Sequence, residues 1–506
     1  MYVLAHDMGT SSDKAILADF NGKIIATARA SYPTYYPNPA WVEQIPSDYW
    51  EAVVSATKKI LEKTGISPNE IKAIVFTTQS MGLIPVDIDG KTLYNNITWV
   101  DGRAQKQADS IMKRLGGKKI FTLLSGTPIM GKDVIAKIIW IKEERPEIYK
   151  ATKYFLDVNG YLKYKCTGRM VSELSGASSY GLDLKKKKFL SVLSLTGLDM
   201  KKLPPLVKST DQVGTLTIDA ANELGLNQST IVFGGCDDVQ SACIGSGMND
   251  YNNIHIYLGT SAWVCVTTKD ETRFKNGAAA IQSGDPEDNL VVGVTEAAGS
   301  NIEWLLNRFF SDEKENLGDG IYRYLDKCIE KVPAGSDNLI FTPWMLGERC
   351  PVSDTTARAT LFNINEEHTR EHMLRAVYEG VGYNLKWIFE NFEKDYKIRG
   401  NCFRVIGGGA LNAAWIQIIS DITGIELDVL DEPRDIGALG GAIIALIGLG
   451  HYTFSDTSKF TKVAKTYIPN KENSEIYNKL FMSYKDVYYG LKEAYEKANG
   501  KRFTNK

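Results

Sequence analysis

Two adjacent carboxylates, Asp237 and Asp238, follow an apolar run at residues 230–233 and a pair of glycines, and they precede a helical stretch at 239–245. The carboxyl ends of strands are where α/β folds bind their ligands. A carboxylate in that place can take the proton from a hydroxyl group that attacks phosphorus, which is the part that aspartate plays in phosphoryl transfer. An aspartate before a helix is also a good N-cap, and this segment alone leaves both interpretations open, above all for Asp238.

The turn DMGTSS at residues 7–12 is a second place where side chains could do chemistry. Its glycine permits close approach of the backbone, and its amides and hydroxyls can converge on an anion. Asp7 beside them can hold Mg²⁺ through water. The Gly-Thr-Ser triplet recurs at residues 259–261, and two such turns would clamp a polyphosphate, although a single one is more often an ordinary hairpin. The residues of the two turns are Gly9, Thr10 and Ser11, and Gly259, Thr260 and Ser261.

A third candidate is the glycine-rich stretch from Gly407 to Asn412, which links a strand-like run at 403–406 to a helical run ending near Gly424. Successive glycines let a flat base or ribose lie against the backbone, and the start of the helix offers free amides. The pattern is neither GxGxxG nor a P-loop. The one Gly-Lys-Thr in the chain has Pro85 where a P-loop needs its first glycine, which disfavours that class.

Strands are needed to position these turns. Residues 2–6 are rich in apolar side chains and residues 14–20 alternate as strands do, and Asn21-Gly22 separates the second of these runs from another at 23–30. We predict a type I′ hairpin there, because both residues tolerate positive φ. Three antiparallel strands therefore open the chain.

A helix with apolar positions at helical spacing follows, capped by Ser47 and closed by Gly65. It leads into a strand at 73–77, and strands alternating with helices predict an α/β layer fold. The apolar stretch at 436–450 is rich in glycine and alanine and falls short of the roughly 20 residues needed to span a bilayer. We predict a buried, closely packed helix there.

Residues 3–17 and 254–268 echo each other as strand, Gly-Thr-Ser turn and strand. Such repetition suggests a duplicated domain. A glycine-rich segment at 245–250 favours a boundary between domains at 1–247 and 248–506.

Composition narrows the classes of partner. Lys+Arg number 59 and Asp+Glu number 61, so there is no general electrostatic reason to expect nucleic acid or an anionic membrane. The 7 cysteines are scattered without a Cys-x-x-Cys pair, which favours reduced thiols over disulfides or zinc. The amino terminus lacks the pattern of a secretory signal. We expect a cytoplasmic protein with a small-molecule substrate.

Set side by side, these motifs resemble the FGGY carbohydrate kinase family, and within it the xylulokinases. The likeness runs in order from residue 1 to about residue 450. The matching segments lie at 7–12, 39–50, 79–82, 99–104, 233–238, 258–263, 297–305, 347–358, 407–424 and 438–446.

The resemblance implies two actin-like (ribonuclease-H-like) domains with a nucleotide cleft between them, closing around ATP and Mg²⁺. Asp237 matches the catalytic base and Asp7 the carboxylate near the metal, with both expected beside Mg²⁺. Residues expected at the nucleotide, besides those of the two turns, are Gly299, Gly408, Gly409, Ala410 and Asn412.

The same resemblance implies that the first domain holds a sugar. Residues expected to contact it are Gln79, Ser80, Met81, Trp99 and Asp238. Met81 stands where xylulokinases usually have histidine, which a thioether replaces poorly as a hydrogen-bonding group. Asp238 stands where asparagine is common, and its charge would raise the pKa of the neighbouring base.

The implied activity is ATP-dependent phosphorylation of a terminal hydroxyl of a small sugar, D-xylulose giving D-xylulose 5-phosphate. Ribulose, L-xylulose, gluconate and glycerol stay open as substrates. The other classes are an actin- or chaperone-like ATPase switch and a non-catalytic sugar-binding regulator. The resemblance also leaves a homodimer open.

Overall fold

The structure, a computed structural model, describes residues 1–117, 128–269, 275–400 and 402–500. Each half of the chain builds one mixed sheet of seven strands. Strands of the first half are β1 (Tyr2–Met8), β2 (Ser12–Asp19), β3 (Ile24–Ser31), β4 (Glu43–Gln44), β5 (Ile71–Thr78), β6 (Ile84–Val86), β7 (Asn96–Ile97), β8 (Tyr154–Leu156), β9 (Ser172–Glu173), β10 (Leu182–Asp183), β11 (Lys188–Phe189), β12 (Leu206–Val207), β13 (Gln212–Thr215), β14 (Ile231–Phe233) and β15 (Cys236–Asp237). Those of the second half are β16 (Asn253–Leu258), β17 (Ala262–Thr268), β18 (Ala278–Gln282), β19 (Asn289–Val294), β20 (Ile340–Thr342), β21 (Thr360–Phe362), β22 (Cys402–Ile406), β23 (Leu427–Leu430) and β24 (Val463–Tyr467).

Helices cover the sheets in both halves. In chain order the α-helices are α1 (Pro46–Thr64), α2 (Gln105–Arg114), α3 (Val134–Glu144), α4 (Pro146–Ala151), α5 (Val158–Thr167), α6 (Leu174–Gly181), α7 (Ile218–Leu224), α8 (Asp238–Gly245), α9 (Gly299–Phe309), α10 (Ser311–Leu317), α11 (Ile321–Glu330), α12 (Arg370–Tyr396), α13 (Ala413–Thr423), α14 (Ile436–Gly448) and α15 (Lys471–Asn499). No helix among the described residues is both long enough and apolar enough to cross a bilayer.

The two sheets share a plan. The first has the order β13-β14-β5-β1-β2-β3, with β15 also paired to β5, and the second has the order β18-β19-β17-β16-β22-β23-β24. In the first, β1 runs antiparallel to β2 and parallel to β5. In the second, β16 runs antiparallel to β17 and parallel to β22. The echo in the sequence is thus a strand–turn–strand unit at the centre of each sheet.

The hairpin between β2 and β3 forms where Asn21-Gly22 predicts it, but its turn type differs from the prediction. Only Gly22 has positive φ, at 78°. The carboxylate of Asp19 accepts hydrogen bonds from the amides of Asn21 (2.8 Å) and Lys23 (3.0 Å). This side chain stabilises a local turn that leaves Asn21 out of the left-handed region, so the type I′ prediction is wrong.

Helix α1 begins two residues before the predicted start. Ile45 occupies the N-cap position without a capping side chain, and Pro46 follows in the first turn. Proline suits that position because its missing N–H would be unpaired there anyway. The prediction of Ser47 as the cap is therefore wrong. The helix ends at Gly65 as predicted, with φ of 63°.

Helices α8 and α14 cross where the two halves meet. A Cβ atom at Gly245 would lie 2.0 Å from the carbonyl oxygen of Ile436, and one at Gly440 would lie 1.9 Å from that of Ser241. Backbone therefore meets backbone at this crossing. Apolar side chains of α14 also pack against the first sheet, so this second-half helix completes the core of the first half. It is the buried, closely packed helix that the sequence predicts.

Candidate active site

Asp237 ends β15 and points away from the helix that follows it. It occupies the N-cap position of α8 but makes no capping hydrogen bond. Its Oδ2 atom instead accepts a hydrogen bond of 2.6 Å from the hydroxyl of Ser80, and its amide donates one of 3.0 Å to the hydroxyl of Ser175. Asp238, the first helical residue, accepts from the adjacent amide of Val239 at 2.9 Å. The capping interpretation thus fails for Asp237, whose carboxylate is available for chemistry.

The surroundings of Asp237 favour its neutral form. Burial raises the pKa of Asp237 well above its usual range, and the nearby charge of Asp157 raises it further. The hydrogen bond from Ser80 lowers that pKa, while Asp238 and Glu173 add to the rise. A carboxylate in this setting needs compensating positive charge to act as a base near neutral pH.

A second pair of carboxylates lies beside it. Burial, followed by the charge of Asp7, raises the pKa of Asp238 to about 7. Burial also raises the pKa of Asp7, against the opposing charge of Lys14, and the hydroxyl of Thr77 donates to Asp7 at 3.3 Å. Carboxylate oxygens are the ligands that Mg²⁺ prefers, and a single carboxylate can hold that ion through water. The oxygens of Asp7, Asp237 and Asp238 do not gather within 4.8 Å of one another, so among the described residues Asp7 fits a magnesium ion bound through water and not a site of three direct ligands.

The first Gly-Thr-Ser turn presents hydroxyl groups to solvent. Thr10 and Ser11 are both exposed, and the amide of Gly9 is engaged by the carbonyl of Ser12 at 3.1 Å. The indole of Trp99 donates to the hydroxyl of Thr10 at 3.1 Å. Trp99 therefore lies beside this turn, and its contact with a sugar stays a prediction.

The second turn is joined to the start of α9. The amide of Gly259 donates to the carbonyl of Ser261 (2.9 Å), and those of Ala298 and Gly299 donate to the carbonyls of Thr260 (2.8 Å) and Gly259 (3.0 Å). A Cβ atom at Gly299 would lie 2.6 Å from the carbonyl oxygen of Gly259. Only glycine fits at that contact, so Gly299 belongs to the same structural unit as the turn.

The glycine-rich stretch forms a single 3₁₀ turn from Gly408 to Leu411. A Cβ atom at Gly408 would meet, among the described residues, nothing closer than Nε of Arg434 at 4.0 Å. This is the open surface that a base or ribose needs. Gly409 packs against Leu258 and Ala410 is 3% exposed, so these two shape the turn from behind.

Asn412 caps the helix that follows the glycine-rich stretch. Its side-chain oxygen accepts from the amide of Trp415 at 2.8 Å, which makes it the N-cap of α13, and its amide donates to the hydroxyl of Tyr378 at 3.2 Å. The sequence offered this cap as a signal that we missed. A role for Asn412 at the nucleotide stays a prediction.

The loop at residues 79–82 brings Ser80 to Asp237, whereas Gln79 lies beneath it. Gln79 is 2% exposed, and its amide donates to the side-chain oxygen of Gln44 at 2.9 Å. Met81 is half-buried and has φ of 62°, a conformation that is uncommon for a residue with a side chain. Ser80 thus lies at Asp237 and Gln79 is buried below the loop, while contact of Gln79, Ser80 and Met81 with a sugar stays a prediction.

Asp101 and Arg103, in the loop that carries Trp99, form a buried ion pair at 2.7 Å. The guanidinium also pairs with Glu43 at 2.8 Å and lies 4.0 Å from the ring centre of Trp41. Asp101 and Arg103 therefore stabilise the loop, and Trp99 is the residue of this loop that reaches the first turn.

One group of charges crosses between the halves and was not anticipated. Lys132 pairs with Glu296 at 3.3 Å, and Arg349 pairs with the same carboxylate at 2.9 Å. Glu296 lies just before the residues bonded to the second turn. No local pattern predicts this pairing, because it depends on chain segments that are far apart in sequence.

A further buried group lies away from this cleft. The Sγ atoms of Cys243 and Cys265 and a ring nitrogen of His255, which are atoms that could bind a metal ion, all lie within 4.8 Å of one another. The indole of Trp263 lies 3.1 Å from Nε2 of His255, and because an indole can only donate, the neutral ring carries its hydrogen on Nδ1. A metal-bound histidine needs the opposite arrangement, a lone pair towards the metal and an outward N–H. Hydrogen bonds from Cys265 and then His255 instead lower the pKa of Cys243.

Known proteins share this architecture. Models of the N-terminal and C-terminal domains of the FGGY family of carbohydrate kinases match residues 2–245 and 254–449. The chain belongs to this family. The kinase is 30% identical to a xylulose kinase of Staphylococcus epidermidis, and the alignment covers 97% of each chain. It is 28% identical to a gluconokinase of Bacillus subtilis, and that alignment covers 95% of this chain and 94% of the gluconokinase. The structure of a ligand-bound xylulose kinase from Lactobacillus acidophilus matches it with a TM-score of 0.89 and 25% identity, covering 98% of this chain and 99% of that one.

These findings confirm the family resemblance and the fold class of the kinase, two α/β domains of the actin-like type. They also confirm that the protein is a carbohydrate kinase. The individual roles assigned above to its site residues stay predictions.

Proposed function

We propose that this kinase transfers the γ-phosphoryl group of ATP to the terminal hydroxyl of D-xylulose, giving D-xylulose 5-phosphate. The proposal is supported by the relatives named xylulose kinase that match the chain over nearly its whole length. The observation that carries it is the Ser80–Asp237 hydrogen bond, which puts a buried carboxylate beside the loop at 79–82.

In the proposed mechanism Asp237 accepts the proton of the attacking hydroxyl on its carboxylate. The hydroxyl of Ser80 orients that carboxylate through the 2.6 Å bond. Hydroxyls of the two Gly-Thr-Ser turns, with Thr10 and Thr260 exposed, bind phosphoryl oxygens. Mg²⁺, held by Asp7 through water with Asp237 beside it, would supply positive charge against the phosphate oxygens.

In the proposed mechanism closure of the two halves excludes water from the reacting atoms, and contacts between the halves support such a closure. Lys132 reaches Glu296, and the hydroxyl of Ser178 accepts from the amide of Gln282 at 3.1 Å. Exclusion matters because water would compete with the sugar for the phosphoryl group.

A second candidate is phosphorylation of a sugar acid such as gluconate. Met81 cannot replace the hydrogen bonds of the histidine that is usual in xylulokinases, and gluconokinases are among the relatives. Both observations bear on the acceptor that the kinase uses and do not bear on the phosphate-binding turns.

A comparison of acceptors tests both candidates. Purified kinase is incubated with ATP, Mg²⁺ and D-xylulose, L-xylulose, ribulose, gluconate or glycerol, and ADP release is measured against a sugar-free sample. We expect the highest kcat/KM on D-xylulose, with mass and NMR spectra of a 5-phosphate. A preference for gluconate would select the second candidate, and full-rate ADP release without any acceptor would overturn both in favour of an ATPase switch.

A further inference from the structure

A lysine buried beneath the sugar side of the cleft makes contacts that the proposed reaction does not explain. Lys137, on α3, is 0% exposed. Its ammonium donates to the carbonyl oxygens of Met81 at 2.9 Å and Thr98 at 2.7 Å. Lysine is almost never fully buried unless it is paired, so these two bonds call for a reason.

The two carbonyls belong to the two loops that line the cleft. Met81 follows Ser80, whose hydroxyl contacts Asp237. Thr98 precedes Trp99, whose indole contacts Thr10 in the first turn. One ammonium group therefore lies at the root of both loops, one loop touching the proposed base and the other the proposed phosphate turn.

The backbone of Met81 also needs support. Its φ of 62° lies in the left-handed region, which costs free energy for any residue with a Cβ atom. Such a conformation persists when neighbouring contacts fix it. Here the bond from Lys137 fixes the direction of the Met81 carbonyl.

The charges around Lys137 compensate it only in part. Burial is the main cause that lowers its pKa to about 7; Asp101 and Asp133 oppose this, and Arg103 and Lys132 add to it. Asp101 is already bonded to Arg103. The ammonium group of Lys137 donates its hydrogen bonds to the two loop carbonyls, so loop geometry is what the buried cation maintains.

We propose that Lys137 is a positioning residue whose ammonium group locks the loops at 79–82 and 98–103 together, and so fixes the distance between Asp237 and the first phosphate turn. This rests on the proposed function for the roles of Asp237 and Thr10. The lock itself is a property of the fold that can be measured without any substrate.

The test compares Lys137→Met, which keeps length but removes the donors, with Lys137→Arg, which keeps donors, and with a matched control. Arg375 is a buried cation of the second half that also donates to two carbonyls, those of Ile329 (3.1 Å) and Val332 (2.8 Å). Arg375→Met should lower thermal stability without affecting the two loops.

Hydrogen–deuterium exchange of the sugar-free kinase is the first measurement. We expect exchange in peptides covering 79–83 and 98–104 to become at least about tenfold faster in Lys137→Met and to stay unchanged in Arg375→Met. Unchanged exchange in these peptides, or equal acceleration throughout the chain, would overturn the proposal. Lys137→Gln, whose amide is neutral and one bond closer to the backbone, carries the same expectation if the methionine variant does not fold.

Steady-state kinetics are the second measurement, with whichever acceptor the wild-type kinase uses. We expect kcat/KM for the acceptor to fall roughly 100-fold in Lys137→Met, because small displacements of reacting groups have effects of this size, while KM for ATP stays within about threefold. Lys137→Arg should recover at least about a tenth of the wild-type value. A wild-type kinase that phosphorylates no acceptor would count against the proposed function alone, since the exchange experiment still decides the role of Lys137.

Discussion

The hydroxyl of Ser80 donates a 2.6 Å hydrogen bond to Oδ2 of Asp237 across 157 positions of sequence. The bond connects the end of β5 to the end of β15, two strands that pair in parallel. It favours the charged carboxylate, whereas burial favours the neutral one. The balance between these two effects decides whether Asp237 can act as a base, and several predictions test it.

Asp237→Asn should abolish most turnover. The amide keeps the shape of the side chain but cannot accept a proton, and general-base catalysis contributes roughly 10²–10⁴-fold. We expect kcat to fall by about that factor while the Kd for ATP, measured by calorimetry, changes less than about threefold. Asp312→Asn, an exposed change on α10, serves as the control. Turnover close to that of the control would remove Asp237 from its proposed role.

Ser80→Ala should move the acidic limb of the pH profile to higher pH. Loss of the hydrogen bond raises the pKa of Asp237, so the carboxylate is protonated over more of the range and the base is lost sooner on acidification. A hydrogen bond to a charged group corresponds to roughly ten- to a hundredfold in rate. We expect kcat/KM to fall by about that factor at pH 6. An unshifted limb would show that the Ser80 bond does not tune the base.

Asp238→Asn should move the same limb the other way. Asp238 raises the pKa of Asp237, so neutralising it makes the base available at lower pH. The kcat/KM profile of the double variant Ser80→Ala/Asp238→Asn should lie between those of the single variants. A limb that moves to higher pH in Asp238→Asn would contradict the electrostatic account.

The same substitution should also stabilise the nucleotide-free kinase at alkaline pH. The pKa of Asp238 is about 7 in the folded chain and close to 4 when unfolded, so between these values folding takes up a proton and wild-type stability falls as pH rises. Asparagine does not titrate, so it does not lose stability in this way as pH rises. We expect the Tm advantage of Asp238→Asn to be larger at pH 8 than at pH 5 by about 2 °C or more. An advantage that shrinks with pH would contradict the sign.

Gly299→Ala should weaken ATP binding selectively. The methyl group added at position 299 would lie 2.6 Å from the carbonyl oxygen of Gly259, so the second turn would have to shift. We expect KM for ATP to rise at least about tenfold while KM for the sugar changes little. Gly490→Ala, on α15 with no atom within 4 Å of the added group, is the matched control and should slightly stabilise the helix. Equal behaviour of the two alanine variants would separate Gly299 from the nucleotide.

Local signals in the sequence predicted much of this site. Gly-Thr-Ser between two strands gave both turns, and a carboxylate after an apolar run and two glycines placed Asp237 at a strand end. Each of these depends on neighbours in the chain, so a short segment contains the information. The hairpin at Gly22 was found for the same reason, while its turn type depended on the side chain of Asp19.

Other parts of the site depend on distant segments and could not be predicted. Ser80 was expected to touch the sugar, but its bond to Asp237 requires β5 and β15 to pair. The pairing of Lys132 with Glu296 requires the two halves to meet. None of the motifs in the sequence includes Lys137, because burial of a lysine follows from packing and not from spacing.

The backbone contact of α8 with α14 limits how the kinase can open. Atoms that touch without intervening side chains cannot move apart without leaving a void, so separation at this point is unfavourable. Rotation about it is not restricted in the same way. Opening of the cleft by rotation about this point would leave the floor beneath Asp237 and Asp7 in place, so the carboxylates would keep their arrangement through each cycle of sugar entry and product release.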